Sequence, residues 1–357
     1  MPEKALMAKL RHNARNVSMY LVGLEPIRRV HGYLSVAPMM EWTTPHARYF
    51  LRLLAPRVRL YSEMVPAIAL WYGDPQRFLS FDQAEHPVAL QLGGSSPEQL
   101  AYGAKLAAHW GFDEVNLNVG CPSGRVRAGR FGACLMLESE LVGECVQALR
   151  EGGLPVTVKT RIGVDDHDSY EHLQSFVAQV ARAGCENFII HARKAWLSGL
   201  SPKDNREVPP LDYARVYRLK RSFPHLEIII NGGIADEHRL LEQLEHVDGV
   251  MVGREAFANP YSIALWECSI MGGKPPSRRN AVERYLPYVE RQRQLGVPMS
   301  QLVKVLMGLY RGCKGARQWR RHLTVASQQS GAGPELIAQA LRWVDPVGEQ
   351  GTVGGQH

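Results

Sequence analysis

The chain lacks the features that announce secretion, membranes or metal. Its six cysteines (Cys121, Cys134, Cys145, Cys185, Cys268 and Cys313) include no C-x-x-C pair, so neither a zinc ribbon nor a thioredoxin-like redox motif is supported. A chain of 357 residues can bury a large core without disulfides, and the scattered thiols fit a reducing cytosol. No apolar run approaches the roughly 20 residues a membrane helix requires. The first 30 residues begin basic but hold no long apolar stretch or small-residue cleavage site. No G-x-G-x-x-G follows the first apolar run, which weakens the case for a dinucleotide-binding open sheet. The expectation is a cytoplasmic protein with no membrane partner and no metal site.

What is present is more informative. A formal net charge of +7 suits an anionic partner such as nucleic acid. Eight short apolar runs recur at 34–39, 58–64, 88–94, 114–120, 156–163, 187–193, 227–233 and 249–255. Stretches with helical spacing separate them, among them 99–110, 138–150, 170–183 and 236–244. Strands alternating with helices predict a parallel sheet with crossovers. Eight such units close a (β/α)8 barrel, a TIM barrel of roughly 250 residues. The domain reading is an N-terminal extension over 1–30, the barrel over 31–270, and a glycine- and proline-rich linker over 271–280. A small all-helical domain follows over 281–345, with helices at 281–295, 299–310, 316–330 and 335–344, and a disordered tail over 346–357.

Several predicted strands end alike: an apolar run, a polar or reactive residue, then glycine or proline. Gln91, Asn118, Lys159, His191, Asn231 and Arg254 hold these places, and barrel active sites are built from strand C-termini. The glycines of NGGI (231–234) and VGRE (252–255) end the last two strands, where barrels of this kind frequently bind a phosphate. Lys159 facing inward would need an electron-rich partner, and Gln91 can both donate and accept a hydrogen bond. His191 fits either a ligand or a core histidine. Taken together these residues favour flavin mononucleotide (FMN), with a sugar phosphate as the alternative. Cys121 leaves the fourth strand in N-V-G-C-P, which carries its thiol above the mouth. Arg125, Arg127 and Arg130 follow it and would stabilise a thiolate if close, so nucleophile and general acid remain equally open. In the helical segment, Arg317, Arg320 and Arg321 flank Trp319 at helical spacing, a pattern that suits contact with a nucleic-acid backbone.

The same residues carry a family resemblance. SVAPMMEWT (35–43), LYSEM (60–64), ALQLGGS (89–95), NLNVGCPS (116–123), GRFGACLM (129–136), VTVKTRIG (156–163), HARKAWLSGLSPKDNREVPPL (191–211), NGGI, DGVMVGR (248–254) and GARQWRR (315–321) occur in this order. The chain resembles the tRNA-dihydrouridine synthases, and most closely their A subfamily. The resemblance implies a barrel in which NADPH reduces FMN, and a C5–C6 double bond of uridine in the tRNA D-loop is then reduced, at positions 20 and 20a. It implies cofactor contacts from Ala37, Pro38, Met39, Gln91, Lys159, His191, Asn231, Gly232, Gly233, Gly253 and Arg254. It makes Cys121 the catalytic acid, and it places Asn118, Lys203, Arg206, Arg317 and Arg320 against tRNA. No obligate protein partner is implied, and the expectation is a monomer.

Overall fold

The structure, a computed structural model, describes residues 34–344; the 1–30 extension and the 346–357 tail lie outside the described residues. Nine strands run in parallel: β1 (Leu34–Val36), β2 (Arg59–Tyr61), β3 (Val65–Pro66), β4 (Val88–Gly93), β5 (Glu114–Val119), β6 (Val156–Arg161), β7 (Asn187–His191), β8 (Glu227–Asn231) and β9 (Gly249–Val252). Their order is β2-β1-β9-β8-β7-β6-β5-β4-β3. A further pairing of β2 with β4, Leu60 opposite Val88, closes eight of them into a ring. The two residues of β3 extend the end of β4, Val65 opposite Leu92.

The predicted strands are all present, and several are shorter than expected. The first stops at Val36 because Pro38 has no N–H to give the ladder. The chain then folds back on itself as Thr43 donates from N and Oγ1 to the Met39 carbonyl, at 3.0 and 3.1 Å. The second stops at Tyr61, where the Ser62 hydroxyl takes the Gln91 N–H at 3.0 Å in place of a backbone carbonyl.

Helices cover the outside, and their starts are legible residue by residue. Ser96 accepts from the Gln99 N–H ahead of Pro97–Trp110, Pro97 fills the first turn, and Gly111 ends the helix in the left-handed region at φ +86°. That helix buries Leu100, Ala104, Leu106 and Ala107 against the sheet. The barrel interior is chemically two-sided. Ala37, Tyr61, Ala89, Ile189, Ile229 and Met251 form an apolar cluster. Gln91, Glu114, Asn116, Asn118 and Thr157, from β4, β5 and β6, are buried and polar.

The predicted helix over 299–310 is not formed. Met299–Leu302 ends, a 3-10 turn spans Lys304–Leu306, and the chain continues in turns. Gly308 explains the break: a Cβ there would stand 2.4 Å from the Phe257 carbonyl oxygen, so the segment lies directly on the 257–258 backbone. The linker is also shorter than expected, because Arg278–Gln294 starts at 278 with Ser277 as its cap. Trp319, which lies between the arginines of the basic helical pattern, is fully buried and donates from Nε1 to the Leu306 carbonyl at 2.9 Å. It is the core of the helical region. Tyr49 stacks on Tyr288 at 3.9 Å between ring centroids, and His46 Nδ1 meets the Tyr288 hydroxyl at 2.8 Å. Barrel and helical region therefore share one packed interface.

Candidate active site

The thiol sits on a turn held from several sides. Asn118 Oδ1 accepts from the Gly120 and Cys121 N–H groups at 3.1 and 3.0 Å. Arg161 Nε donates to the Gly120 carbonyl at 2.8 Å, and the Ala133 N–H to the Cys121 carbonyl at 2.9 Å. Gly132, at φ +78°, allows that last approach; a Cβ would stand 2.4 Å from the Cys121 oxygen. Cys121 is half-buried.

None of the three arginines that follow Cys121 hydrogen-bonds to its thiol. Arg125 and Arg130 are exposed, while Arg127 donates to the Leu197 carbonyl and Ser198 Oγ at 2.6 and 2.8 Å. Cys121 acts electrostatically on Lys159 and Arg161, two residues apart on β6. Burial pulls Lys159 down to about 7, helped by Arg161 and opposed by Cys121. Its Nζ donates to Asn231 Oδ1 at 3.1 Å, and Asn231 Nδ2 donates to the Met251 carbonyl at 2.7 Å. Burial, then Arg161 and Lys159, push His191 well below the usual histidine range, so the ring is neutral.

Two buried nitrogens in this corner have no protein partner: His191 Nδ1 and Arg193 Nε. A buried polar nitrogen without a partner costs about 1–3 kcal/mol unless something satisfies it. Nearby, Gly232 and Gly233 have φ of +119° and +68°, and their Cβ atoms would strike Leu211. Across the mouth, Ala37 and Met39 of the first strand end lie beside Gly253 of the last, with Met39 Sδ 3.7 Å from where its Cβ would be. Pro38 sits between them, half-buried.

Of the six strand-end residues, Asn118 is register partner to Lys159 and His191 to Asn231, while Gln91 is opposite Asn116. Arg254 does not join them: its guanidinium is exposed and paired with Glu207 Oε1 at 2.8 Å. The expectation that Asn118 contacts tRNA is replaced by a different role, since its side chain is buried and spent on the turn. Lys203, Arg206, Arg317 and Arg320 are exposed and, among the described residues, unpaired. Arg161 and Arg193 were missed. Both lie two residues past a recognised site residue, on the same face of a strand or its continuation, and that period was the available signal.

Comparison with known proteins finds relatives along most of the chain. The chain is 54% identical over 312 residues to the tRNA-dihydrouridine(20/20a) synthase of Vibrio cholerae serotype O1, covering 86% of this chain and 95% of that protein. It is 53% identical over 316 residues to the protein of that name from Pasteurella multocida, covering 88% and 96%. Among solved structures, a 2-naphthoyl-CoA reductase bound to 2-naphthoyl-CoA superposes with a TM-score of 0.52 at 11% identity, over 67% of this chain and 50% of the other, a likeness of fold. A family model described as dihydrouridine synthase matches residues 35–344, and with it the chain belongs to the dihydrouridine synthase family.

Proposed function

We propose that the protein is a flavin-dependent oxidoreductase that reduces the C5–C6 double bond of uridine in tRNA to 5,6-dihydrouridine, with FMN as cofactor and NADPH as reductant. The relatives carry tRNA and positions 20 and 20a in their names, which supports the same D-loop uridines as targets here. The observation that carries the reading is the pair of partnerless buried nitrogens, His191 Nδ1 and Arg193 Nε, beside two positive-φ glycines and the half-buried Lys159. That set of polar groups fits a phosphorylated, electron-accepting ring.

Ala37, Pro38, Met39, Gln91, Lys159, His191, Asn231, Gly232, Gly233, Gly253 and Arg254 would hold the cofactor. For Arg254 the backbone is the better placed part, since its guanidinium is engaged with Glu207. Held by these residues, a flavin reduced by NADPH would supply hydride chemistry at uridine C6. The rest falls to the chain. Lys159 brings a positive charge to a ring edge where negative charge must be accommodated. Cys121 Sγ gives its proton to C5, completing the addition of hydride and proton across the double bond. The Asn118, Arg161 and Gly132 contacts hold that sulfur over the mouth while the base is presented. A uridine drawn out of folded tRNA costs a few kcal/mol, and Lys203, Arg206, Arg317 and Arg320 offset this by contacts to phosphates.

The test is direct. Purified protein should be yellow and should form dihydrouridine, with NADPH, in tRNA from a strain lacking the corresponding gene; sequencing that tRNA by position reads the target uridines. Cys121→Ala should lower kcat by about 10²-fold or more while FMN affinity stays parental. Parental turnover by that variant would overturn the assignment of the acid.

A further inference from the structure

The polar half of the barrel interior forms a single column. At its foot Glu114, the first residue of β5, is ion-paired with Arg59 and accepts from the Tyr61 hydroxyl at 2.8 Å. Glu114 Oε1 also accepts from Thr157 Oγ1 at 2.7 Å. The Thr157 oxygen accepts from Asn116 Nδ2 at 2.7 Å, and Asn116 Oδ1 from Gln91 Nε2 at 2.7 Å. Gln91 Oε1 accepts from Asn118 Nδ2 at 2.9 Å, and Asn118 Oδ1 takes the two N–H groups of the Cys121 turn. All five of these side chains are buried.

The column has a direction, and chemistry at both ends sets it: the backbone N–H groups at the head can only donate to Asn118, and the foot can only accept. A carboxylate facing a guanidinium can only accept, so the single Thr157 proton goes to Glu114. The Thr157 oxygen must then receive an amide N–H from Asn116, which turns the Asn116 carbonyl toward Gln91, and the same logic passes to Asn118. Reversing one amide would set N–H against N–H on one side and oxygen against oxygen on the other. Each such buried mismatch costs about 1–3 kcal/mol, and aligned bonds in series reinforce one another. With both ends fixed, no member can turn alone, and loss of the Thr157 hydroxyl leaves Asn116 without its acceptor and the column held from the head only. Burial works against the Arg59 charge, yet Glu114 outweighs it and holds that guanidinium above its ordinary value. Burial and Glu114 likewise keep Tyr61 a donor.

We infer that Glu114 and Thr157, which touch neither the mouth nor the turn, are positioning residues that orient Gln91 and hold the Cys121 thiol through this one-way chain. The inference rests on the reading of Cys121 as proton donor. It leaves Gln91 with one uncommitted N–H, so Gln91 meets a bound ring as a donor. The consequence is that catalysis at the mouth depends on a hydroxyl inside the barrel.

Thr157→Val keeps the shape and removes the hydroxyl; Thr157→Ser keeps the hydroxyl. In the holoenzyme, alkylation by iodoacetamide, followed peptide by peptide in mass spectra, should change several-fold at Cys121 in the valine variant and stay parental at Cys134. The kcat for tRNA should fall about tenfold with KM little changed, and Thr157→Ser should restore both. Parental alkylation and parental kcat in the valine variant would overturn the inference, and so would a serine variant as impaired as the valine one. Should Thr157→Val not fold, Arg59→Met/Glu114→Gln removes both charges together and replaces the obligate acceptor by a side chain with no fixed direction; the same alkylation rates then decide. Failure of the acid assignment would be seen separately, as parental turnover by Cys121→Ala, while the alkylation comparison needs no turnover.

Discussion

Lys159 carries its charge where charge is costly, and that cost is measurable without any substrate. An unfolded lysine holds its proton to about 10.5, whereas this one releases it near 7 in the folded protein. Between those values the unfolded chain binds more protons, so the lysine makes the cofactor-free protein gain stability as pH rises from about 7 toward 10. Below 7 both states are protonated and the full penalty, on the order of a few kcal/mol, remains. Lys159→Met should therefore resist urea better than the parent at pH 6, with the gap closing toward pH 10, while FMN affinity drops. Loss of the hydrogen bond to Asn231 subtracts about 1 kcal/mol from the gain. Equal stability gaps at pH 6 and pH 9 would contradict the assignment. At this scale the sequence was legible where chemistry and position coincided: a lysine, a histidine and an asparagine at strand ends. It was not legible where only three-dimensional neighbours decide. That Arg127 binds the 197–198 loop while Arg161 reaches the thiol turn depends on loop paths that spacing does not contain.

At the scale of elements, the thiol turn is the joint product of three segments distant in sequence: β5 supplies Asn118, β6 supplies Arg161, and the loop at 129–136 supplies Gly132. Gly132 is its tightest point. Gly132→Ala must place a side chain at φ +78° and 2.4 Å from the Cys121 oxygen; a loss of about 2–3 kcal/mol in urea unfolding is expected. The kcat for tRNA should fall with it while the bound flavin spectrum stays parental, and unchanged stability would show that the loop yields freely. Strand existence was legible because a parallel barrel strand is a short apolar run with a polar tip. Strand ends were less so, since the second strand stops where the Ser62 hydroxyl takes the N–H of Gln91, 29 residues away in sequence. The missing helix over 299–310 has the same kind of cause. Its residues have helical spacing, but Gly308 serves a backbone contact with 257–258 that overrides it.

At the scale of the molecule, the helical region leans on the rim of the barrel mouth. Lys304 Nζ donates to the Glu41 carbonyl at 2.7 Å in the loop after β1, and Arg311 pairs with Glu255 after β9 at 3.2 Å. Trp319 anchors the helix Ala316–Ala326 to that same segment through Leu306. The tryptophan between these arginines thus holds a basic helix in place, and Arg317, Arg320 and Arg321 stay exposed for a partner. Net charge and helical spacing could suggest such a face; they could not separate the arginines that face solvent from the residue that packs. Arg317→Ala/Arg320→Ala removes two exposed charges with no protein partner among the described residues, so folding and the flavin spectrum should not change. Binding of tRNA, read by fluorescence anisotropy across a salt series, should weaken by about tenfold near physiological salt. The slope of log K against log salt should become shallower by roughly 1–2, since each lost phosphate contact is worth about 0.7–0.9. An unaltered slope would place the tRNA backbone elsewhere, and the same measurement on Lys203→Ala/Arg206→Ala would then show whether the barrel loop alone carries it.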